Sequence, residues 1–432
     1  MTRKIAFAQV KKLFAHNIIK NISWLFLDKV CRLGVGLIVS VWVAKYLGPH
    51  DFGKWNYSIA VVALVSAFST LGLDQILVKK LIENKDQEEI LIGAAFYLRI
   101  TGAITSILLS LAYITIFSDG ESQLFIITLL TSSTLIFQSF DVIDLKLQSI
   151  LKSKVSVLIK NSAFLICAAL KVLVILNQCN LIYFVIISVI EIALGAFGLI
   201  IQYGVFKVIS WRPNVTFAKQ LLKECWPLIL SGIIIMLYMR IDQVMIGKML
   251  DEKSVGLYSV SVKFSELWYF IPTVFVSSFF PKLIKLKSDE TGYRKLCLKI
   301  FRILFFISFG IGLTIALLAH DMILILYGNL FIASAFALKI SIWTSIFVFW
   351  GVAAANMLVI DGLNKHNLYK SVHGVILNIA LNFILIPRFG INGAAIATLI
   401  SQAYASYFYY LLKKETRYIF FLQTRSILFF LK

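Results

Sequence analysis

Residues 47–58 read LGPHDFGKWNYS, and residues 250–261 read LDEKSVGLYSVS. Each stretch closes one long apolar run and opens another. Gly53 falls in register with Gly256 and Trp55 with Tyr258, 203 positions apart in a chain of 432. A polar Gly- or Asp-containing turn between two apolar runs predicts a hairpin of helices. Its return near half the chain length predicts two copies of one architecture.

Hydrophobic residues make up 59% of the chain and charged residues 15%, with a mean hydropathy of +0.87. Soluble domains carry about 25% charged residues, so a water-soluble enzyme is excluded. A membrane-spanning helix takes about 20 apolar residues. Twelve such runs lie near 23–45, 53–72, 91–117, 123–145, 155–177, 181–203, 225–247, 254–280, 300–327, 331–357, 367–386 and 390–412. Dividing 432 residues by twelve leaves 36 per span, with nothing over for a soluble domain. The alternation of barrel strands is absent, so the spans read as helices. The expected fold class is an all-α polytopic membrane protein with two six-helix bundles, 1–206 and 207–412, and a tail, 413–432. Bundles that start on the same side imply a pseudo-twofold axis along the membrane normal, with a central site between the halves.

Lys and Arg number 42 against 22 Asp and Glu, a net charge of +20. With the N-terminus cytoplasmic, the cytoplasmic segments hold 29 of these cations and the outer loops 5. That asymmetry fits the positive-inside rule at every hairpin and places both termini in the cytoplasm. The excess is a topology signal, and no nucleic-acid partner is expected. The first apolar run carries Asp28, Lys29 and Arg32 and has no small-residue cleavage site, so it reads as a span and not as a cleaved signal.

Eight cations remain inside the spans: Lys29, Arg32, Arg99, Lys160, Lys171, Arg240, Lys263 and Lys339. Lys29, Lys160 and Lys339 lie near span ends, from which lysine snorkels to the interface. A central charge facing lipid costs about 2.5–3.5 kcal/mol, so four would cost roughly 10–14 kcal/mol, as much as a typical net stability of about 5–15 kcal/mol. Arg32, Arg99, Arg240 and Lys263 are therefore expected to face water, a counter-charge or an anionic ligand. Asp28 and Arg32 are i,i+4, and Lys263 and Glu266 are i,i+3, so each pair can meet on its own helix. Arg240 and Asp242 point to different sides and need separate partners. Asp141, Glu191, Asp242 and Glu266 are candidate proton or Na⁺ carriers, with structural pairing as the plainer alternative. Asn56, Tyr57, Gln138, Gln243, Trp268, Asn356, Asn378 and Asn382 offer polar and aromatic surface, or interhelical hydrogen bonds.

Pro272 should kink the eighth span, whereas Pro227 should mark the entrance of the seventh. Residues 73–90 and the tail from Lys413 mix apolar and charged positions, as interfacial helices do. Cys31, Cys167, Cys179, Cys225 and Cys297 form no CxxC pair, and the five histidines form no ligand motif, so no metal or cofactor is expected.

Three stretches carry a resemblance: AKYLGPHDFGKWNYS (44–58), YMRIDQVMIGKML (238–250) with VGLYSVSVKFSELWYFIP (255–272), and LNFILIPRFGINGAAIATLIS (381–401). They resemble the first hairpin, the seventh and eighth spans and the last hairpin of the bacterial polysaccharide-biosynthesis, or O-antigen flippase (Wzx-type), family. The resemblance extends over essentially the whole chain. It implies the multidrug/oligosaccharidyl-lipid/polysaccharide exporter fold in the bacterial inner membrane. It also implies a non-enzymatic flippase for undecaprenyl-diphosphate-linked oligosaccharide, working by alternating access. The implied partners are that lipid-linked substrate, membrane lipid, a polysaccharide polymerase and a chain-length regulator. For such a substrate, Arg32, Arg99, Arg240 and Lys263 are the diphosphate candidates, because guanidinium matches phosphate geometry. Asn56, Tyr57, Gln243, Trp268 and Asn378 are sugar-contacting candidates. The alternatives are a polytopic O-antigen polymerase or ligase, disfavoured by short outer loops, and a multidrug exporter on the same fold, which would favour cavity carboxylates.

Overall fold

The computed structural model describes the backbone of residues 2–118, 121–211 and 214–428, and side chains from residue 32 onward, Lys85 excepted. The Asp28–Arg32 pairing and Lys29 fall outside the described side chains. The described residues are all-helical, with no strand among them. In chain order the helices are α1 (Thr2–Val65), α2 (Ala67–Thr70), α3 (Leu73–Glu83), α4 (Glu88–Phe117), α5 (Ser122–Gln138), α6 (Asp141–Ser149) and α7 (Ser153–Leu176). They continue as α8 (Leu181–Tyr203), α9 (Val205–Ile209), α10 (Val215–Met249), α11 (Glu252–Glu266), α12 (Phe270–Lys285) and α13 (Glu290–Tyr327). The last are α14 (Ser334–Ser341), α15 (Thr344–Ile360), α16 (Lys365–Phe389), α17 (Ile391–Ala403), α18 (Tyr409–Leu412) and α19 (Arg417–Ile427).

Among the described residues, ten helical stretches are long and apolar enough to cross a membrane, against the twelve expected. The difference has two local causes. The first two runs join in α1, where Gly48 alone leaves helical geometry at φ +71° and ψ 173°. Glycine adopts that backbone without a Cβ clash, and Pro49 then starts the second arm where its missing N–H costs least. The last run, 390–412, divides into α17, a π-helical turn over 404–408 and α18.

Proline acts as expected in one place and not in another. Helix α11 ends at Glu266 and α12 begins at Phe270, so the eighth span breaks just before Pro272. Pro272 has no N–H to return to the preceding turn. Pro227, in contrast, lies well inside α10, which already starts at Val215. The entrance reading is thus corrected: helix formation runs back over the polar residues 215–224, which the apolar run did not include.

The chain packs as two units, Met1–Leu47 with Val61–Ile233, and Gly48–Ala60 with Ile234–Lys432. The division follows packing, whereas 1–206 and 207–412 is a division by spans. In the first unit, Leu73, Leu77 and Leu81 of α3 are buried together with Leu91, Ile92, Ala94, Ala95, Val142 and Ile143. Residues 73–83 are therefore an amphipathic helix whose leucine stripe at i, i+4 and i+8 packs into protein. In the second unit, Phe301, Leu304, Phe349, Trp350, Ala353 and Met357 form the centre of a core, and Trp350 donates its indole N–H to the Phe301 carbonyl at 3.2 Å.

The two glycines of the repeat meet within this second unit. A Cβ on Gly53 would run into the Glu252 carbonyl, and a Cβ on Gly256 into the Pro49 carbonyl. Each glycine thus faces the backbone four residues before the other. Contact this close is open only to residues without a side chain.

Candidate functional site

The first unit encloses a cavity of about 300 Å³ built from five helices. Arg32 enters from α1, Gln138 from α5, Asp141 and Asp144 from α6, Lys160 from α7 and Glu191 from α8. Asp141 and Asp144 lie in the first turn of α6, where the helix dipole favours carboxylates. Lys160 bridges them, its Nζ 2.8 Å from an oxygen of each. Glu191 lies 3.3 Å from Lys171 and 4.0 Å from Arg32. The Arg32 guanidinium also sits over the Phe164 ring, 5.4 Å from its centroid, a cation–π geometry. Arg32, Lys160 and Lys171 thus stand with Asp141, Asp144 and Glu191, and the site is balanced in charge. Lys160, a lysine near a span end, is held in this cluster by two carboxylates.

Arg99 lies elsewhere. Its side chain is 6% exposed and pairs with Asp74 of α3, which is 62% exposed. Of the three expected surroundings, water, a counter-charge or an anionic ligand, the structure shows a counter-charge, and it comes from another helix, invisible to spacing along one. The Arg99→Ala variant is expected to lose about 1–2 kcal/mol of stability, the worth of a charged hydrogen bond whose acid is partly screened by water. A lower thermal midpoint of the detergent-extracted protein is the expected outcome, and a wild-type midpoint would show that the pair adds no stability.

The second unit holds a cavity of about 210 Å³ whose ionisable lining includes Asp242 and Glu266. Asp242 is buried, and its hydrogen-bond partners are all neutral. Tyr258 donates its hydroxyl at 2.9 Å, Asn382 its amide at 2.6 Å, and Thr398 its hydroxyl. Asn382 also donates to Asn378 at 3.1 Å, while its own Oδ1 is buried with no hydrogen bond. Arg240 turns away from Asp242 and reaches Glu266 at 3.3 Å. To the expected Lys263–Glu266 pairing, α10 thus adds a guanidinium from another helix, which spacing along α11 alone could not supply. Lys263 is half-buried on α11.

None of the five sugar candidates lines either cavity. Asn56 donates to the Phe52 carbonyl at 2.7 Å, and Tyr57 is buried with its ring against Gly247. Gln243 and Asn378 are buried, and Trp268 packs on the second core. Gln138 does line the first cavity, whereas Asn356 donates to the Val352 carbonyl at 2.9 Å.

Lys370 was missed altogether, having been counted with the cytoplasmic loop charges. It is buried, and its Nζ lies 2.9 Å from the Tyr410 hydroxyl and 3.4 Å from the Gly351 carbonyl. The signal was available: His366, Lys370, Gly374, Asn378 and Asn382 recur every four residues on α16, and all are buried. A polar stripe with that period on an apolar helix marks the face turned into protein.

Comparison with known proteins agrees with this architecture. The family described as "Polysaccharide biosynthesis protein" matches residues 42–336. The "Probable flippase AglR" of Haloferax volcanii is 32% identical over 178 residues, which cover 40% of this chain and 37% of that protein. The "Capsular polysaccharide biosynthesis protein CapF" of Staphylococcus aureus is 22% identical over 403 residues, covering 91% and 98%. The chain thus spans little more than a third of the first relative and nearly all of the second. Among solved structures, the lipid II flippase MurJ in an inward closed conformation superposes with a TM-score of 0.74 at 16% identity, covering 95% of this chain and 91% of that one. An inward-facing multidrug resistance MATE family transporter superposes with a TM-score of 0.67 at 12% identity, covering 94% and 98%. Both likenesses are of fold. A family match through well over half its length, on a chain with ten apolar membrane-length helices among its described residues, makes this a multi-pass membrane protein that belongs to the polysaccharide biosynthesis protein family.

Proposed function

We propose that the protein is a flippase for undecaprenyl-diphosphate-linked oligosaccharide, moving the lipid-linked sugar across the bacterial inner membrane by alternating access. The proposal includes twelve crossings in two six-helix halves, 1–206 and 207–412, with both termini cytoplasmic and no enzymatic step. A polymerase and a chain-length regulator are the expected downstream partners. The observation that carries it is the cavity at Arg32, an ionic site within a membrane-embedded chain of this family. Its Arg32–Glu191 contact of 4.0 Å is a long one, so a phosphate that approaches closer competes well for the guanidinium. Arg99 and Arg240 hold closer ion pairs, so Arg32 and Lys263 remain as diphosphate residues, with Arg32, which lines the first cavity, leading.

Asp242 supports a coupling role. A buried carboxylate surrounded by neutral donors gains most from taking up a cation, here a proton or Na⁺. The carboxylate-lined second cavity also suits a cationic drug, and one experiment separates the readings. Purified protein is reconstituted into vesicles with a fluorescent lipid-diphosphate oligosaccharide, and leaflet accessibility is followed under imposed proton or Na⁺ gradients. Flipping faster than in empty vesicles, with its gradient response lost in Asp242→Ala, is the expected result. No flipping under any gradient, with extrusion of an organic cation instead, would support the drug exporter.

A further inference from the structure

Helix α19 has two unlike faces. Ile419, Leu422, Gln423 and Ser426 are buried, and Gln423 donates to the Ser406 carbonyl at 3.0 Å, inside the π-helical turn. Beside it the hydroxyls of Tyr407 and Thr424 meet at 2.8 Å. These contacts fix the helix in one register on the second unit. On the opposite side Arg417, Phe421 and Arg425 follow at i, i+4 and i+8, so they form one stripe. All three are exposed, Phe421 by 50%. Exposed Lys413 and Lys414 lead into this stripe, and the segment 413–428 contains a single acid, Glu415. Arg417 donates from Nε to the Leu411 carbonyl at 3.2 Å, which keeps its guanidinium at the end of α18.

We propose that the outer face of α19 docks on anionic phospholipid headgroups of the cytoplasmic leaflet, Arg417 and Arg425 meeting phosphate and Phe421 entering the headgroup–acyl boundary. Two observations choose this occupant. The face is strongly cationic, complementary to an anionic leaflet, and it follows directly on α18, where the last apolar run of the sequence, 390–412, ends. An aromatic ring between two arginines suits a surface that is charged outside and apolar a few ångströms deeper. The inference rests on the topology and is independent of what the protein transports.

The test is hydrogen–deuterium exchange of the 417–428 segment in the full-length protein. The protein is placed in bilayers of phosphatidylcholine alone or mixed with phosphatidylglycerol. An anionic surface is worth about fivefold in binding per basic residue, so exchange should slow by roughly fivefold or more with phosphatidylglycerol. High salt should remove the effect. The Arg417→Glu/Arg425→Glu variant should lose it, and Arg417→Lys/Arg425→Lys should keep it. Equal exchange of the wild type in both bilayers overturns the proposal, and protection in both would point to a protein covering the face. The wild-type comparison decides the matter even where a variant does not fold.

Discussion

Gly256→Val is expected to prevent the protein from being recovered folded from the membrane. At position 256 the first carbon of any side chain meets the Pro49 carbonyl, and the Gly53 nitrogen lies 3.1 Å away. Backbone cannot rotate aside as a side chain can. The two helical segments must part, and Gly53 loses its own fit against Glu252. Overpacking ordinarily costs about 1–3 kcal/mol and occasionally more. Against rigid backbone the upper end applies, a large part of a net stability of about 5–15 kcal/mol. Gly256→Ala already places the offending carbon and should lower the thermal midpoint, with valine worse. Size-exclusion profiles and thermal unfolding of the detergent-extracted protein measure both variants. Wild-type midpoints in the two would show that the segments are not in backbone contact.

Arg32→Ala is expected to reduce flipping of the lipid-diphosphate oligosaccharide by roughly ten- to hundredfold, the worth of a charged hydrogen bond to phosphate. Protein abundance should stay normal, because Glu191 keeps Lys171 at 3.3 Å when Arg32 is removed. Arg32→Lys should fall between the two, since lysine restores the charge but not the two-pronged geometry. The measurement is the initial flipping rate per reconstituted molecule, with Arg99→Ala alongside. Arg32→Ala flipping at the wild-type rate would remove the cavity from the substrate path. Equal losses in Arg32→Ala and Arg99→Ala at equal stability would mean that buried Arg99 also meets the substrate.

How much of this was legible beforehand differs by feature. The helical, membrane-embedded character follows from 59% apolar residues with runs of membrane length. The break at Gly48 and Pro49 is written in the Gly-Pro pair, and the interruption before Pro272 in the proline itself. The repeat glycines were legible as a pattern but not as a contact: their match says that two hairpins are alike, not that they touch. The ionic sites were only half legible. Sequence named Arg32, Glu191, Asp242 and Glu266 as residues that need partners but could seek those partners only one turn away.

The sequence by itself determined that the chain is helical, that it lives in a bilayer, and which charges cannot be left facing lipid. Those are consequences of composition and of spacing along one helix, where hydropathy and the 3.6-residue period suffice. Only the tertiary structure decided the pairing: Arg99 with Asp74, Arg240 with Glu266, Lys160 with Asp141 and Asp144, and Asp242 with hydroxyls and amides. The physical reason is that an ion pair depends on distance in space. Between helices, side chains 16 to 156 residues apart come within hydrogen-bonding reach, and no periodicity along the chain encodes which of them do.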